Sequence, residues 1–462
     1  MTERLHSPSM WLMDRMRAAD EKVSVVTGAR RYTYRQLCDA VECAMGVLTE
    51  HRVQGGEVVA MRGDYSFQGV ALFLALATNG NIIVPIATRN EQEIAERVQA
   101  SFADREIVLQ DGERIDVISC RREGRQHQLV EELQRSLRAG LILFSSGSTG
   151  KPKAMIHNLD TLLETYRIRK EKRVTILVFL LFDHIGGLNT LLNALAMTAT
   201  IVVPARRDPE HVCKLIEQHG VNVLPTSPTF LNLLLVSGAH RRFSLHSLRL
   251  ITYGTEPMPE SLLDRLKAAF PRVRFLQTFG TSETGIAVTS SRSSRSTFLR
   301  FDDPQYESKI VHGELWLRSR TQIMGYLNAG MENFTEDGWF KTGDLVEEQE
   351  GSYFRVIGRA TEIINVGGVK VSPSEVESAL LQMAGIQACL VYGEPNALTG
   401  QTVVADVVLR PDIDPSQAKK EVRRFLSARV DAYKIPTKVN VVEQMTCSDR
   451  FKRNRLPAGV QA

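Results

Sequence analysis

The chain has 462 residues, 43% hydrophobic and 24% charged, with a formal net charge of +4. A single core rarely grows past about 250–300 residues, so this length predicts more than one folded unit. The composition is that of an ordinary globular protein, and so mild a basic balance does not call for nucleic acid; anionic small molecules such as nucleotides suffice.

Residues 1–16 mix Arg4, His6, Asp14 and Arg15 among apolar side chains and lack the uninterrupted apolar core of a secretion signal. The longest apolar stretches, 141–144 and 176–182, are too short to span a bilayer and read as buried strands, so no membrane association is expected. Cys38, Cys43, Cys120, Cys213, Cys389 and Cys447 form no CxxC pair and no zinc spacing. Free thiols in a reducing cytoplasm are the expectation.

Short β-branched runs at 23–26, 58–62, 81–85, 107–109, 199–203 and 221–224 predict strands. Between them lie helical periods. In 34–48, Leu37, Val41, Ala44, Met45 and Leu48 recur at helical spacing, and Thr33 with Gln36 fits a capping box. A second helix is predicted at 210–219. Such alternation implies α/β layers with largely parallel sheets. The Ser/Arg cluster at 290–296 reads as an exposed, mobile loop. The texture shifts near Gly351. A short strand at 352–358 is followed by a compact unit: a helix at 374–383, strands at 388–392 and 403–409, a helix at 415–429 and a strand at 438–442. The expected division is 1–358 and 359–462.

The sharpest chemical signal is Ser145-Ser146-Gly147-Ser148-Thr149-Gly150-Lys151-Pro152-Lys153, after the apolar run 141–144. Glycines let backbone N–H groups turn toward an anion, hydroxyls donate further hydrogen bonds, and two lysines add charge. It is not the Walker pattern, because Pro152 stands where a hydroxyl residue belongs. A second cluster, Phe279-Gly280-Thr281-Ser282-Glu283-Thr284, places an aromatic face, hydroxyls and a carboxylate together. These suit base stacking, a phosphate contact and a Mg2+ ligand. A third, Phe340-Lys341-Thr342-Gly343-Asp344, offers a carboxylate at a tight turn, with Gly358-Arg359 fifteen residues after it.

In order and spacing these segments resemble the superfamily of acyl-CoA synthetases, peptide-synthetase adenylation domains and luciferases, from about residue 23 to 456. Gly313-Glu314-Leu315 through Gly325-Tyr326 is similar to its G-E-L…G-Y stretch, and residues 358–377 to its interdomain signature. The resemblance implies a large N-terminal α/β domain of stacked mixed-sheet subdomains and a small mobile α+β C-terminal domain. It implies ATP- and Mg2+-dependent conversion of an aryl or medium-chain acid to acyl-AMP, then transfer to coenzyme A. Phe279 would stack on adenine, with Gly254, Thr255 and Glu256 lining the same pocket and Gly280 and Thr281 belonging to the ATP site. Ser282 would touch the α-phosphate and Glu283 would hold Mg2+. Asp344 and Arg359 would bind ribose, and Ser145, Ser148, Thr149 and Lys153 the β- and γ-phosphates, with Ser146, Gly147 and Gly150 in the same ATP-binding loop. Gly367, Gly368 and Lys370 would line the acceptor-thiol entry.

Relatives carry Gly-Lys near the C-terminus, where the lysine bridges substrate carboxylate and α-phosphate; here Asp449-Arg450 aligns, with Lys452 two residues on. Arg450 keeps the charge without the compact geometry. At the hinge, where relatives have Asp or Lys, stands Thr361. In Phe182-Asp183-His184-Ile185-Gly186-Gly187, His184 falls near the carboxylate site, with Phe182, Gly187 and Thr278 around the acid. Asp183 is similar to the aspartate that holds an ammonium in amino-acid-activating domains, but the favoured expectation is that it caps a helix over 187–197. Two rivals are a stand-alone loader of a separate carrier protein and a nucleotide-binding protein without catalysis.

Overall fold

The computed structural model describes residues 10–110, 114–120, 125–145 and 152–445. Two seven-stranded sheets enclose a layer of helices. One runs in the order Arg274–Gln277, Leu250–Tyr253, Val223–Thr226, Thr175–Leu177, Thr200–Val203, Val23–Thr27, Arg30–Thr33, parallel except for its last pair. The other runs Gly325–Tyr326, Ala154–Asn158, Gly140–Phe144, Ile82–Ile86, Val58–Arg62, Arg105–Gln110, Arg114–Ser119. Strands buried on both faces read as continuous apolar runs, which is why Gly140–Phe144 and Ile82–Ile86 are buried at every position.

Between the sheets lies the largest core. It contains the helices Tyr34–Glu50, Phe67–Asn79 and Ile185–Ala196. The first of these starts with the expected capping box, Thr33 and Gln36 satisfying each other's backbone N–H groups. Outer helices cover the far faces of both sheets with separate apolar clusters.

A third sheet of six antiparallel strands occupies residues 289–359, ordered Thr289–Ser291, Leu299–Phe301, Tyr353–Arg359, Phe340–Gln349, Glu314–Ser319, Tyr306–Val311. Only its 352–358 strand is legible as a period in the sequence. The Ser/Arg cluster is no loose loop. Ser291 Oγ accepts from Gln277 N (2.9 Å) and Ser294 Oγ from Phe275 N (3.2 Å), so hydroxyls satisfy the outer N–H groups of the edge strand Arg274–Gln277. An unpaired strand edge needs such acceptors.

After Arg359 a one-turn helix, Ala360–Glu362, leads to a separate five-stranded sheet. Helices Pro373–Leu380 and Ala418–Leu426 pack on it, both shorter than the periodicity predicts. Hydrogen bonds between this part and the rest include Asn232 Nδ2 to Gln387 O (3.1 Å), Ser261 Oγ to Ser378 O (3.3 Å) and, next to the connection, Ser372 Oγ (2.8 Å) and Ser374 Oγ to Ile357 O. No described helix is long and apolar enough to cross a membrane, and Cys38, Cys43, Cys120, Cys213 and Cys389 are free.

Candidate active site

Three parallel strands deliver backbone to one end of the first sheet. Val223–Thr226, Leu250–Tyr253 and Arg274–Gln277 lie in register, with Thr226 beside Tyr253 and Tyr253 beside Gln277. Beyond their carboxyl ends, where such sheets bind ligands, come Gly254-Thr255-Glu256 and the segment 278–284. Thr278 N donates to Tyr253 O (2.8 Å), joining these segments. Thr255 sits at φ +72°, a strained conformation for a β-branched residue and one that concentrates at functional sites. Glu256 turns elsewhere: its Oε1 accepts from Thr229 N (2.6 Å), so the carboxylate serves the N-terminus of the helix Pro228–Val236.

The turn 281–284 is held from behind. Thr284 N donates to Thr281 Oγ1 (3.1 Å), while Ser319 Oγ (2.6 Å) and Thr321 Oγ1 (2.9 Å) donate to Thr284 O. Gly280–Thr281 pairs with Gly285–Ile286 as a small hairpin. Ser282 and Glu283 are therefore presented by a rigid turn.

The second sheet meets this turn. Phe144 ends its strand at Ser145, whose N donates to Lys153 O (3.0 Å) and whose Oγ accepts from Lys153 N (3.0 Å). These bonds close the base of the glycine- and serine-rich loop. Ser146, Gly147, Ser148, Thr149 and Gly150 lie outside the described residues, as do Arg450 and Lys452. Lys153 Nζ stands 5.0 Å from the centre of the Tyr326 ring, and Tyr326 OH donates to Glu283 Oε1 (3.1 Å). A cation, an aromatic ring and a carboxylate thus form a chain between the sheets. Burial, and next the Glu283 charge, hold the Tyr326 phenol far above its ordinary value, so it remains a donor. Asn328 bridges the same strand, accepting from Ala154 N (2.8 Å) and donating to Pro152 O (2.9 Å).

From the third sheet, Asp344 and Arg359 face each other across neighbouring strands, with Arg359 Nε 3.2 Å from Asp344 Oδ1. Phe279 packs edge-on against Phe301 and Phe354 of that sheet (5.8 and 6.0 Å between centroids). Ser145, Lys153, Tyr326 and Glu283 are joined by direct contacts, and Phe279 leads into the same turn. The Gly367-Gly368 hairpin, with Lys370, is exposed. Both glycines have positive φ, +58° and +88°, as a two-residue hairpin turn requires.

Residues 13–327 match the AMP-binding enzyme family and residues 375–452 the AMP-binding enzyme C-terminal domain. The chain belongs to the AMP-binding enzyme family. It is 24% identical to a 2-succinylbenzoate–CoA ligase of Listeria monocytogenes serotype 4b (strain F2365), over 96% of this chain and 98% of that one. Its fold is that of the anthranilate CoA ligase AuaEII in complex with anthranoyl-AMP, at TM-score 0.81, 20% identity and coverage of 97% and 96%. The o-succinylbenzoate CoA synthetase from Bacillus subtilis with its acyl-adenylate follows at TM-score 0.74, 20% identity and coverage of 96% of each chain.

In this AMP-binding enzyme the segment 182–187 departs from expectation. The helix spans Ile185–Ala196 and its cap is His184, whose Nδ1 accepts from Gly186 N (3.0 Å). Asp183 is not the cap. It is 3% exposed and its Oδ2 lies 2.7 Å from Arg97 NH1. A carboxylate drawn so far from water needs a buried cation, and that partner overrides the local capping preference. The same pair occupies the charge that an ammonium substrate would need. Phe182 is wholly buried against Tyr65 and Phe73, a core residue here. Gly187 is a matter of packing: a Cβ there would lie 2.0 Å from Leu181 O.

Sequence reasoning passed over Arg97, Asn328 and His157. His157 is 1% exposed, and burial pushes its imidazole down to about 4 although the backbone of Thr321 and Ser282 lies beside it. Each sits within an ordinary helix, strand or loop pattern, which carries no signal of a partner distant in sequence.

Proposed function

We propose that this AMP-binding enzyme converts a carboxylic acid and ATP to acyl-AMP and pyrophosphate, then passes the acyl group to the thiol of coenzyme A. The observation that carries the reading is the Lys153–Tyr326–Glu283 chain at the mouth of the clasped Ser145–Lys153 loop. A carboxylate is a poor electrophile, and attaching AMP gives it a leaving group. What the protein contributes is positioning and neutralisation of phosphate charge. The loop from Ser145 to Lys153 binds the β- and γ-phosphates, Ser282 the α-phosphate, Asp344 and Arg359 the ribose, and Phe279 the adenine.

Mg2+ typically keeps several waters and takes one or two carboxylates plus substrate phosphates. The site suits that demand: Glu283 is a carboxylate oriented by Tyr326, and no group of three or more His, Cys, Asp and Glu side chains suited to a metal occurs among the described residues. Bound there, Mg2+ would offset phosphate charge as the acid oxygen attacks. The role of bridging the charge of the acid carboxylate and the α-phosphate is assigned to Arg450, with Lys452 as the alternative, from their places in the sequence. Rotation about 360–362 brings Gly367, Gly368 and Lys370 to the acceptor thiol.

The acid is an aryl or medium-chain acid without an ammonium group, because Arg97 already pairs Asp183. His184 stands on the acid side. Names of the relatives above, for succinylbenzoate and anthranilate, support an aryl acid. Coenzyme A is favoured over a carrier protein, and the free cysteines suit a cytoplasmic setting.

The test is ATP–pyrophosphate exchange across a panel of acids, followed by coenzyme A or a carrier protein as acceptor. Exchange with aryl acids and thioester formation on coenzyme A are expected; no exchange with any acid overturns the reading. In Arg450→Ala, exchange falls by about 10²–10³-fold while thioester formation from preformed acyl-adenylate survives. The same pattern in Lys452→Ala alone moves the role to Lys452.

A further inference from the structure

We propose that Arg97 is a positioning residue for acid activation, fixing the segment that carries His184 against the strand that opens into Ser145. The proposal rests on the reading above, in which Ser145 begins the phosphate loop and His184 stands beside the acid.

Arg97 belongs to the helix Glu91–Ala100, remote in sequence from every motif, yet it is 5% exposed. Its guanidinium meets three different parts of the chain. NH1 pairs with Asp183 Oδ2 at 2.7 Å. NH2 pairs with Glu93 of its own helix, and Glu93 Oε2 accepts from Thr88 Oγ1 (2.8 Å), which ties in the loop after the strand Ile82–Ile86. The guanidinium carbon lies over the Phe144 ring, 5.3 Å from its centre. Phe144 is the last residue before Ser145, and Asp183 the last before His184. One planar cation therefore sets the distance between the two loops that must bring acid and ATP together.

Energetics favour a role beyond stability. Replacing a buried ion pair by neutral groups of similar volume is often close to neutral, so stability alone does not require this arrangement. Lysine could supply the charge but not the fork that spans two carboxylates beside a ring. Reacting groups displaced by about 1 Å lose about 10²-fold in rate, so a small shift of either loop is enough to matter.

The experiment compares the parent enzyme with Arg97→Lys and with the double variant Arg97→Met/Asp183→Asn. It measures acid-dependent ATP–pyrophosphate exchange, thioester formation from preformed acyl-adenylate, and thermal unfolding. The double variant removes both charges, so no unpaired carboxylate is left buried. Its exchange kcat is expected to fall about 10²-fold. Its KM for ATP should change less than about threefold, and its thioester step and unfolding temperature should remain near the parent's. Arg97→Lys, which keeps a cation beside Asp183, is expected to lose roughly tenfold in exchange kcat with the thioester step intact. Parental exchange in Arg97→Lys or in the double variant overturns the proposal, as does an equal loss in both half-reactions. A parent enzyme that shows no exchange with any acid overturns the functional reading itself, and that control separates the two failures.

Discussion

Glu283 reaches the mouth of the loop already aimed, because Tyr326 OH donates to its Oε1 and the turn beneath it is pinned by Ser319 and Thr321. Partners that orient a metal-ligating carboxylate typically contribute about 10–100-fold in metal affinity. In Tyr326→Phe, the free Mg2+ giving half-maximal pyrophosphate exchange should rise about tenfold. An unchanged Mg2+ requirement would remove Glu283 from the metal. His157, behind the same turn, gives a stability prediction. Its folded-state value of about 4 lies below the ordinary 6.5, so the unfolded chain binds the proton more readily between those values. The native state therefore loses stability as pH falls from about 6.5 to about 4, by up to roughly 3 kcal/mol at the lower end. Urea unfolding of the parent and of His157→Gln across that window checks this: the variant should lack that part of the slope.

At the scale of elements, two glycine positions behave oppositely. Gly187 is needed for close approach, since a Cβ would meet Leu181 O at 2.0 Å and push the helix Ile185–Ala196 off its seat. Gly187→Ala should destabilise the protein by about 1–3 kcal/mol, as overpacking does, and lower exchange as His184 moves. Chemical denaturation and exchange assays measure both, and a fully stable Gly187→Ala protein would refute the packing argument. Gly368 has open space around it but φ +88°. Gly368→Trp should harm thioester formation more than adenylation, if this hairpin reaches the acceptor thiol. Gly368→Asn is the control, because asparagine tolerates left-handed backbone. Equal losses of both half-reactions in Gly368→Trp, matched by Gly368→Asn, would mean that turn strain alone is at work.

At the scale of the whole molecule, the small C-terminal part is held lightly. Away from the connecting segment, Asn232 Nδ2 donates to Gln387 O and Ser261 Oγ to Ser378 O, beside a cleft of about 370 Å³ with Arg265, Met383 and Arg410 on its walls; next to the connection, Ser372 Oγ and Ser374 Oγ donate to Ile357 O. A typical hydrogen bond contributes about 1 kcal/mol net, so removing the Asn232 and Ser261 bonds changes the balance of domain arrangements by roughly tenfold or more. Asn232→Ala/Ser261→Ala should speed amide exchange over 381–387 and alter the ratio of adenylation to thioester rates without changing the fold. If neither quantity moves, these bonds do not govern the arrangement.

The sequence by itself determined what depends on neighbours along the chain. Buried parallel strands announce themselves as apolar runs, as Gly140–Phe144 does, and Thr33 with Gln36 reads as a helix start because both bonds of the capping box are local. The order of the glycine-rich loop, the Phe279–Thr284 turn and the Asp344 and Gly358-Arg359 segments is likewise printed in the chain. Tertiary structure decided the pairings. Asp183 has every local feature of a helix cap, yet a cation 86 residues away claims it, because a buried charge outweighs a capping preference. Tyr326 gains its purpose from Glu283, 43 residues distant. The serines of 290–296 look mobile in a polar stretch, and only the exposed edge of a parallel sheet gives their hydroxyls N–H groups to satisfy. Local spacing cannot encode which distant segment will supply a partner; the packing of three sheets does.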